Sequence, residues 1–161
     1  YKNVYFSAYP GYYFPGDGAL RDAEGNFRIT GRVDDVVIVS GHNLGTAPIE
    51  NALNEHPNVV ESAVVGFPHD VKGNALHAFV IPNSEVDPNE LTDELRALVA
   101  KTIGPIAKPD RIQVVSGLPK TRSGKIMRRI LRKLAAGEYD QLGDVSTLLN
   151  PEIIQEIKRN S

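Results

Sequence analysis

A lysine, Lys125, follows a Ser-Gly pair inside the run Pro119-Lys120-Thr121-Arg122-Ser123-Gly124-Lys125-Ile126-Met127-Arg128-Arg129. The glycine loosens the chain just ahead of a segment with helical apolar spacing. That placement suits an ammonium held at the tip of a mobile element and carried to a centre of negative charge. Set between a carboxylate and a phosphate, such a cation stabilises charge as it builds on oxygen. The hydroxyls of Thr121 and Ser123 can donate to phosphate oxygens. The spacing is not that of a P-loop, Gly-x4-Gly-Lys-Ser/Thr. Residues 120–133 hold Lys120, Arg122, Lys125, Arg128, Arg129, Arg132 and Lys133 with no acid among them. A nucleic-acid patch and a solvated helix face are rival readings of this run. It has no aromatic residue on which a base could stack, and a basic face can equally receive a phosphate-bearing cofactor.

Two other segments carry chemistry. Asp17 stands between Gly16 and Gly18. Glycines on both sides let a ligand approach closely, and a carboxylate accepts two hydrogen bonds at once, as the vicinal hydroxyls of a ribose require. A lone Asp among glycines is also an ordinary turn residue. Further on, Gly31-Arg32-Val33-Asp34-Asp35 precedes Ser40-Gly41-His42-Asn43-Leu44-Gly45. Arg32 offers a planar fork to phosphate or ribose oxygens. Asp34 lies at a candidate boundary, where a few residues can absorb a large backbone rotation; an Arg-Asp surface pair is the plainer alternative. The four histidines, His42, His56, His69 and His77, never fall within one helical turn of each other, so no multi-histidine metal site is visible.

The elements that must position these residues read as follows. Residues 1–20 look like short strands and turns, and Phe27, Ile29 and Gly31 suggest the return strand of a hairpin ending near Arg32. Val36–Val39 is a short buried strand ended by Ser40-Gly41. Thr46 caps a helix through about Glu55, with Pro48 in its first turn. Val59–Phe67, Ala75–Ile81 and Arg111–Val115 are strands. Asp87-Pro88-Asn89-Glu90 is a capping box opening a helix whose apolar face is Leu91, Leu95, Leu98 and Val99. A helix follows Gly124 with the stripe Ile126, Ile130, Leu131 and Leu134, and Gly137 ends it. Asn150-Pro151 caps a short last helix. From Val36 on, this is an α+β unit of three or four strands with helices against them.

Composition narrows the classes. The 161 residues are 41% hydrophobic and 24% charged, ordinary values for a globular protein. The absence of cysteine excludes disulfides, zinc-thiolate sites and thiol nucleophiles. A net charge of −2 argues against a polyanion binder as a whole. No apolar run approaches a membrane span, and the first residues lack a signal-peptide core. There is no initiating Met, the only Met being Met127. The expectation is a piece of a longer protein, cut upstream, in the cytoplasm.

In this order and at these distances, Tyr13 to Ala19, Ile29 to Asp35, Val39 to His42, Gly104 to Ala107, Leu118 to Ala136 and the tail Gly137 to Asp144 resemble the C-terminal end of adenylate-forming enzymes. The resemblance covers nearly the whole chain. Its hinge and lysine motifs are shared across that superfamily, whereas Ile126 to Lys133 and the tail are similar to the members that activate acetate.

The resemblance implies a fold: a small α+β domain with a short mixed sheet flanked by helices, preceded by a β-hairpin from a larger domain. The boundaries would be 1–34 for the end of the large domain, 35–145 for a mobile C-terminal domain and 146–161 for a tail with a short helix. It also implies a two-step ligase. Acetate and ATP give acetyl-AMP and pyrophosphate; coenzyme A then gives acetyl-CoA and AMP. Propionate or another short-chain acid is the alternative substrate, and a noncatalytic nucleotide- or carrier-binding module the alternative class. The family's residue roles, carried over, make Lys125 catalytic in adenylation, Asp17 and Arg32 ribose- and nucleotide-binding, and Asp34 the hinge. Ser40 and Gly41 would line the route of coenzyme A. A magnesium ion would lie near His56 and Val59. Acetylation of Lys125 by an acetyltransferase, reversed by a deacetylase, would silence adenylation by deleting its charge. Nucleic acid and membrane are not implied. Two positions depart from the pattern: Asn43 stands where the family has a phosphate-binding Arg, and Ala100 where an Arg reaches the nucleotide phosphate of coenzyme A. The acyl pocket and phosphate loop would lie upstream, so the chain alone is expected to be inactive.

Overall fold

The computed structural model describes residues 1–83 and 86–160. A short helix, α1 (Lys2–Tyr5), and turns lead into an antiparallel hairpin of β1 (Asp17–Arg21) and β2 (Phe27–Arg32). The stretch expected as short strands thus opens with a helical turn, around which Tyr1, Tyr5, Phe6 and Tyr13 cluster their rings. A single 3-10 turn, Val33–Asp35, connects β2 to a second hairpin, β3 (Val36–Val39) and β4 (His42–Gly45). Then come α2 (Thr46–Asn54), β5 (Val59–His69), β6 (Gly73–Pro82), α3 (Pro88–Thr102), β7 (Arg111–Val114), α4 (Arg128–Ala135) and α5 (Ile153–Arg159). The central sheet has the order β5-β6-β7, antiparallel between the first two and parallel between the last two. It is the short mixed α+β sheet that the sequence predicts, with the hairpin of β1 and β2 ahead of it.

Each face of this sheet buries its own core. Alternation along β5 and β6 sends Ala63, Val65, Phe67, Ala75 and Phe79 to one side, against Ile130, Leu131 and Leu134 of α4 and Ile153, Ile154 and Ile157 of α5. Val64, Leu76, Ala78 and Val80 go to the other, against Ile49 and Leu53 of α2 and Leu91, Leu95 and Val99 of α3. Asp87 opens α3 as the spacing predicts, its carboxylate accepting from the N–H groups of Asn89 and Glu90 at 2.7 and 3.3 Å. Gly137, at φ +73, closes α4, where Glu138 N–H returns to the Lys133 carbonyl at 2.9 Å.

Four local expectations are corrected. The strand β3 is only half buried: Val37 and Val39 face inward, Val36 and Ile38 outward. It pairs with β4, a strand not anticipated in the sequence, through a two-residue turn at Ser40 (φ +48) and Gly41 (φ +82), the conformation that right-twisted hairpins favour. Thr46 does not cap α2. Gly45, paired with Val36 in β4, is already the capping position, so the helix springs from the strand and Thr46 is its buried first residue. Next, α4 begins at Arg128 rather than after Gly124. A bridge from Lys120 to Ile126 and the bond from Thr121 N–H to the Lys125 carbonyl (2.8 Å) fold residues 120–126 into a tight hairpin instead. Finally, the side chain of Asn150 makes no cap for α5 and is used elsewhere.

One buried group makes the core sensitive to acid. His77 lies on β6, 4% exposed, its ring stacked 4.1 Å from Phe79. Burial, then the charge of Arg111, lowers its pKa to about 4; the adjacent Gln113 amide opposes this without reaching a hydrogen bond of normal geometry. The unfolded chain takes up this proton near pH 6.5 and the folded one only near pH 4, so folding stability falls as pH drops through that window. The loss reaches at most ~3 kcal/mol. We expect the melting temperature to decline between pH 6.5 and 4, with a visibly shallower decline in His77→Gln; an identical slope in the variant would contradict this assignment.

Candidate functional site

The basic run divides sharply once its partners are known. Lys120 reaches Glu61 on β5 at 2.6 Å. Arg128, the first residue of α4, is bidentate to Glu50 of α2 and places Nε 3.3 Å from Asp35. Arg129 donates to the carbonyls of Leu142 and Asp144. Arg132 pairs with Asp35 and Lys133 with Glu138. Among the described residues only Arg122 and Lys125 of the seven have no partner for their charged groups. Five cations are therefore spent inside the domain, and Lys125 is left exposed at the end of the hairpin.

That hairpin is held from below. Met127 N–H donates to the Pro119 carbonyl at 2.8 Å, and Thr121 Oγ1 accepts from Lys125 N–H at 3.1 Å and lies 3.0 Å from Ser123 Oγ. The segment before α5 adds a third strand-like edge: Thr121 bridges to Leu148, and Leu149 N–H donates to the Lys120 carbonyl at 2.8 Å. Asn150 clamps the stem, with Oδ1 accepting from Lys120 N–H at 3.3 Å and Nδ2 donating to the Leu118 carbonyl at 3.0 Å. The hydroxyls near Lys125 are thus committed to its loop in this conformation.

Asp17, Arg32 and Asp34 come together at the other station. Arg32 lies 3.4 Å from Asp17 and 3.0 Å from Asp34, and donates to the Pro15 carbonyl at 2.9 Å. A cleft of about 390 Å³ opens beside them, lined in part by Phe14, Pro15, Gly16 and Val33. The hydrogen bond from Arg32 holds the Asp34 carboxyl below its ordinary range. No hydrogen bond or ion pair joins Lys125 to this group among the described residues.

Asp34 is also where two anchored segments meet. On its N-terminal side, Val33 N–H donates to the Gly16 carbonyl at 2.8 Å, fixing Val33 to the β1-β2 hairpin. On its C-terminal side, Asp35 is held by Arg128 and Arg132. Between them only Asp34 lacks a tether to a single unit: its carboxylate faces Arg32 and its carbonyl accepts from Arg132 at 3.3 Å. Burial opposes the charge of Arg128, but Glu50 and Asp35 outweigh it and raise its pKa. Glu50 is fixed in turn, its Oε1 accepting from Val64 N–H of β5 at 2.7 Å.

The remaining candidates are dispersed. Ser40 and Gly41 form the exposed tip of the β3-β4 hairpin, leaning on the β5-β6 turn through Ser40 N–H to the Lys72 carbonyl at 3.0 Å. Asn43 is exposed on β4 opposite Ile38. Ala100 lies in the last turn of α3, next to the exposed Lys101. His56 lies in the loop after α2, with Nδ1 accepting from Asn58 N–H at 3.3 Å and Nε2 3.2 Å from Glu94. Magnesium takes oxygen ligands, and both nitrogens of this ring already have partners, so the imidazole does not fit that ion. Among the described residues no three His, Cys, Asp or Glu side chains cluster as metal ligands. The residues that sequence reasoning missed are Glu50, Asp35, Arg128, Arg132 and Asn150. Glu50 alone left a signal: it falls on the face of α2 that carries Ile49 and Leu53, where an acid needs a partner.

The small mixed sheet flanked by helices thus carries an exposed lysine hairpin that feeds α4. Residues 48–125 match the family described as AMP-binding enzyme C-terminal domain, and this part of the chain is such a domain. The chimera RpMatB-BxBclM B1, solved with ATP bound, superposes with a TM-score of 0.74 at 33% identity, over 81% of this chain and 26% of that one. The amide bond synthetase McbA of Marinactinospora thermotolerans gives 0.71 at 33% identity, over 78% and 25%. More particularly, the chain is similar to the C-terminal part of acetyl-coenzyme A synthetases: 61% identical to that of Saccharophagus degradans over 158 residues, which are 98% of this chain and 24% of that protein. The Leptospira biflexa enzyme is 60% identical over 156 residues. The chain thus spans about a quarter of the length of these relatives.

Because Asn150 carries two of the bonds under the lysine hairpin, Asn150→Ala should destabilise the fold by about 1–2 kcal/mol. It should also raise hydrogen exchange at the Lys120 and Thr121 amides; unchanged protection there would show that the clamp is dispensable.

Proposed function

We propose that this chain is the C-terminal quarter of an acetate–CoA ligase acting in the cytoplasm. Residues 1–34 close the large domain, 35–145 form the mobile domain, and 146–161 form a tail packed against it. In the first step an acetate oxygen attacks the α-phosphorus of ATP and pyrophosphate leaves. In the second the sulfur of coenzyme A attacks the acetyl carbonyl and AMP leaves. The observation that carries this reading is the exposed ammonium of Lys125 without an ion-pair partner, beside five neighbours that are all engaged.

Each residue has a physical task. Asp17 and Arg32 meet the ribose, the carboxylate accepting from both hydroxyls. Lys125 faces the reacting carboxylate and α-phosphate, where its charge offsets the negative charge gathering on oxygen. Magnesium enters with the phosphates of the nucleotide; no step is routed through His56 or Val59. A turn at Asp34 then withdraws Lys125 and brings up the Ser40-Gly41 tip, which lines the path of the thiol. Asn43 and Ala100 remain on the nucleotide and coenzyme A faces with short uncharged side chains. Acetylation of Lys125 by a protein acetyltransferase would delete the one charge that adenylation needs, and a deacetylase would restore it.

In a complete ligase carrying this sequence, Lys125→Ala should slow acetate-dependent pyrophosphate–ATP exchange by about 10²–10³-fold. Thioester formation from supplied acetyl adenylate should persist. Equal damage to both half-reactions would reject the division of labour.

A further inference from the structure

We propose that the ionic cluster Glu50–Arg128–Asp35–Arg132 is the lever by which a turn at Asp34 reaches Lys125, with Asp35 and Arg132 as positioning residues for the adenylate-forming step. The inference rests on the role of Lys125 proposed above.

The two functional stations are connected to the hinge in different ways. Ser40 and Gly41 follow directly from Asp35 through the backbone of β3, which is paired with β4 and seated on the sheet. Gly66 makes that seat possible, since a Cβ there would stand 2.7 Å from Val37 Cγ1. Lys125 has no such short route. It comes late in the chain, on the hairpin that leads into α4, and Arg132 of that helix is 97 residues from its partner Asp35. Apart from the sheet itself, what links α4 to the hinge is charge. Arg128 holds Glu50 with its terminal nitrogens and Asp35 with Nε, and Glu50 is tied to Val64 N–H in the middle of β5. Arg132, one turn further along α4, grips the same Asp35.

Asp35 therefore moves with the β5-β6-β7 unit, and the rotation is confined to the link before it. The second contact of Arg132 is on the same side of that link: the Asp34 carbonyl that it meets at 3.3 Å shares a planar peptide with Asp35 and moves with it. Arg132 thus grips the C-terminal edge of the hinge at two points and keeps the hairpin aligned with it. Side chains of Arg128 and Asp35 are mostly buried, whereas that of Arg132 is 39% exposed, so its loss leaves the Arg128–Glu50 pair and the core in place.

The test uses Arg132→Gln, Arg132→Lys and Asp35→Asn in a complete ligase carrying this sequence. Pyrophosphate–ATP exchange, thioester formation from supplied acetyl adenylate and thermal unfolding are each measured. Misplacing a reacting group by about 1 Å costs up to ~10²-fold, so Arg132→Gln and Asp35→Asn should lower the kcat of exchange by about tenfold or more. KM for ATP and acetate should stay within about twofold and thioester formation within about threefold, since neither depends on where Lys125 stands. Arg132→Lys, still able to pair with Asp35, should recover most of the exchange rate. A folded variant with no loss, or with both half-reactions reduced together, overturns the lever. Lys125→Ala in the same assays separates the two ideas. If it divides the half-reactions and Arg132→Gln does not, the lever alone fails; if it does not divide them, the role of Lys125 fails and the lever with it.

Discussion

The guanidinium of Arg128 is the contact on which the arrangement of this domain turns. It lies between two carboxylates, Glu50 and Asp35, that belong to different elements, and all three side chains are largely withdrawn from water. Ions so placed need each other: taking one partner away leaves a buried charge uncompensated, at a cost of about 3–5 kcal/mol. Directionality adds to this, because a planar fork that serves a bidentate carboxylate on one edge and a second acid at Nε has a single acceptable orientation. The first turn of α4 is fixed against α2 and Asp35 at once, and the hairpin ahead of that turn inherits its place.

Allocation of charge follows from the same geometry. A run of seven cations would repel itself if left in solvent as one patch, and the fold removes most of it by supplying acids and carbonyls from β5, α2, Asp35 and the segment before α5. What stays outside is Arg122 and Lys125, at the point where the backbone turns. Two cations on a braced hairpin are a different object from a basic face of seven: they present separate point charges rather than a surface that matches a polyanion. The segment ahead of β3 is divided in the same way: Val33 is tied backward and Asp35 forward, with Asp34 between them in contact with Arg32 and Arg132.

Much of this architecture was legible in the residues. Alternation in β5 and β6, the Asp87 cap and the Gly137 stop each arise from interactions within a few residues, and local patterning suffices to find them. Where neighbours far along the chain compete, local signals misled. Gly124 and the apolar Ile126 invite a helix, but pairing with Lys120 and the strand-like edge at Leu148 and Leu149 draws the segment into a hairpin. Asn150 before Pro151 has the form of a cap, yet its amide satisfies both a donor and an acceptor at Leu118 and Lys120. Val36–Val39 is apolar throughout, and only its seating on the core by one face, that of Val37 and Val39, left the other side exposed.

The sequence by itself determined the chemistry on offer: a lysine after Ser-Gly, a carboxylate between glycines, an arginine and an acid at a boundary, and no thiol at all. Those properties belong to residue types and short spacings. Which lysine would be free, which acids would be paired and which helix would hold Asp35 were decided by the tertiary structure. The reason is physical. Whether a charge is available depends on the partners that folding brings within about 4 Å, and the partners that matter here, Glu50, Asp35 and Glu61, lie 59 or more residues from the cations they engage.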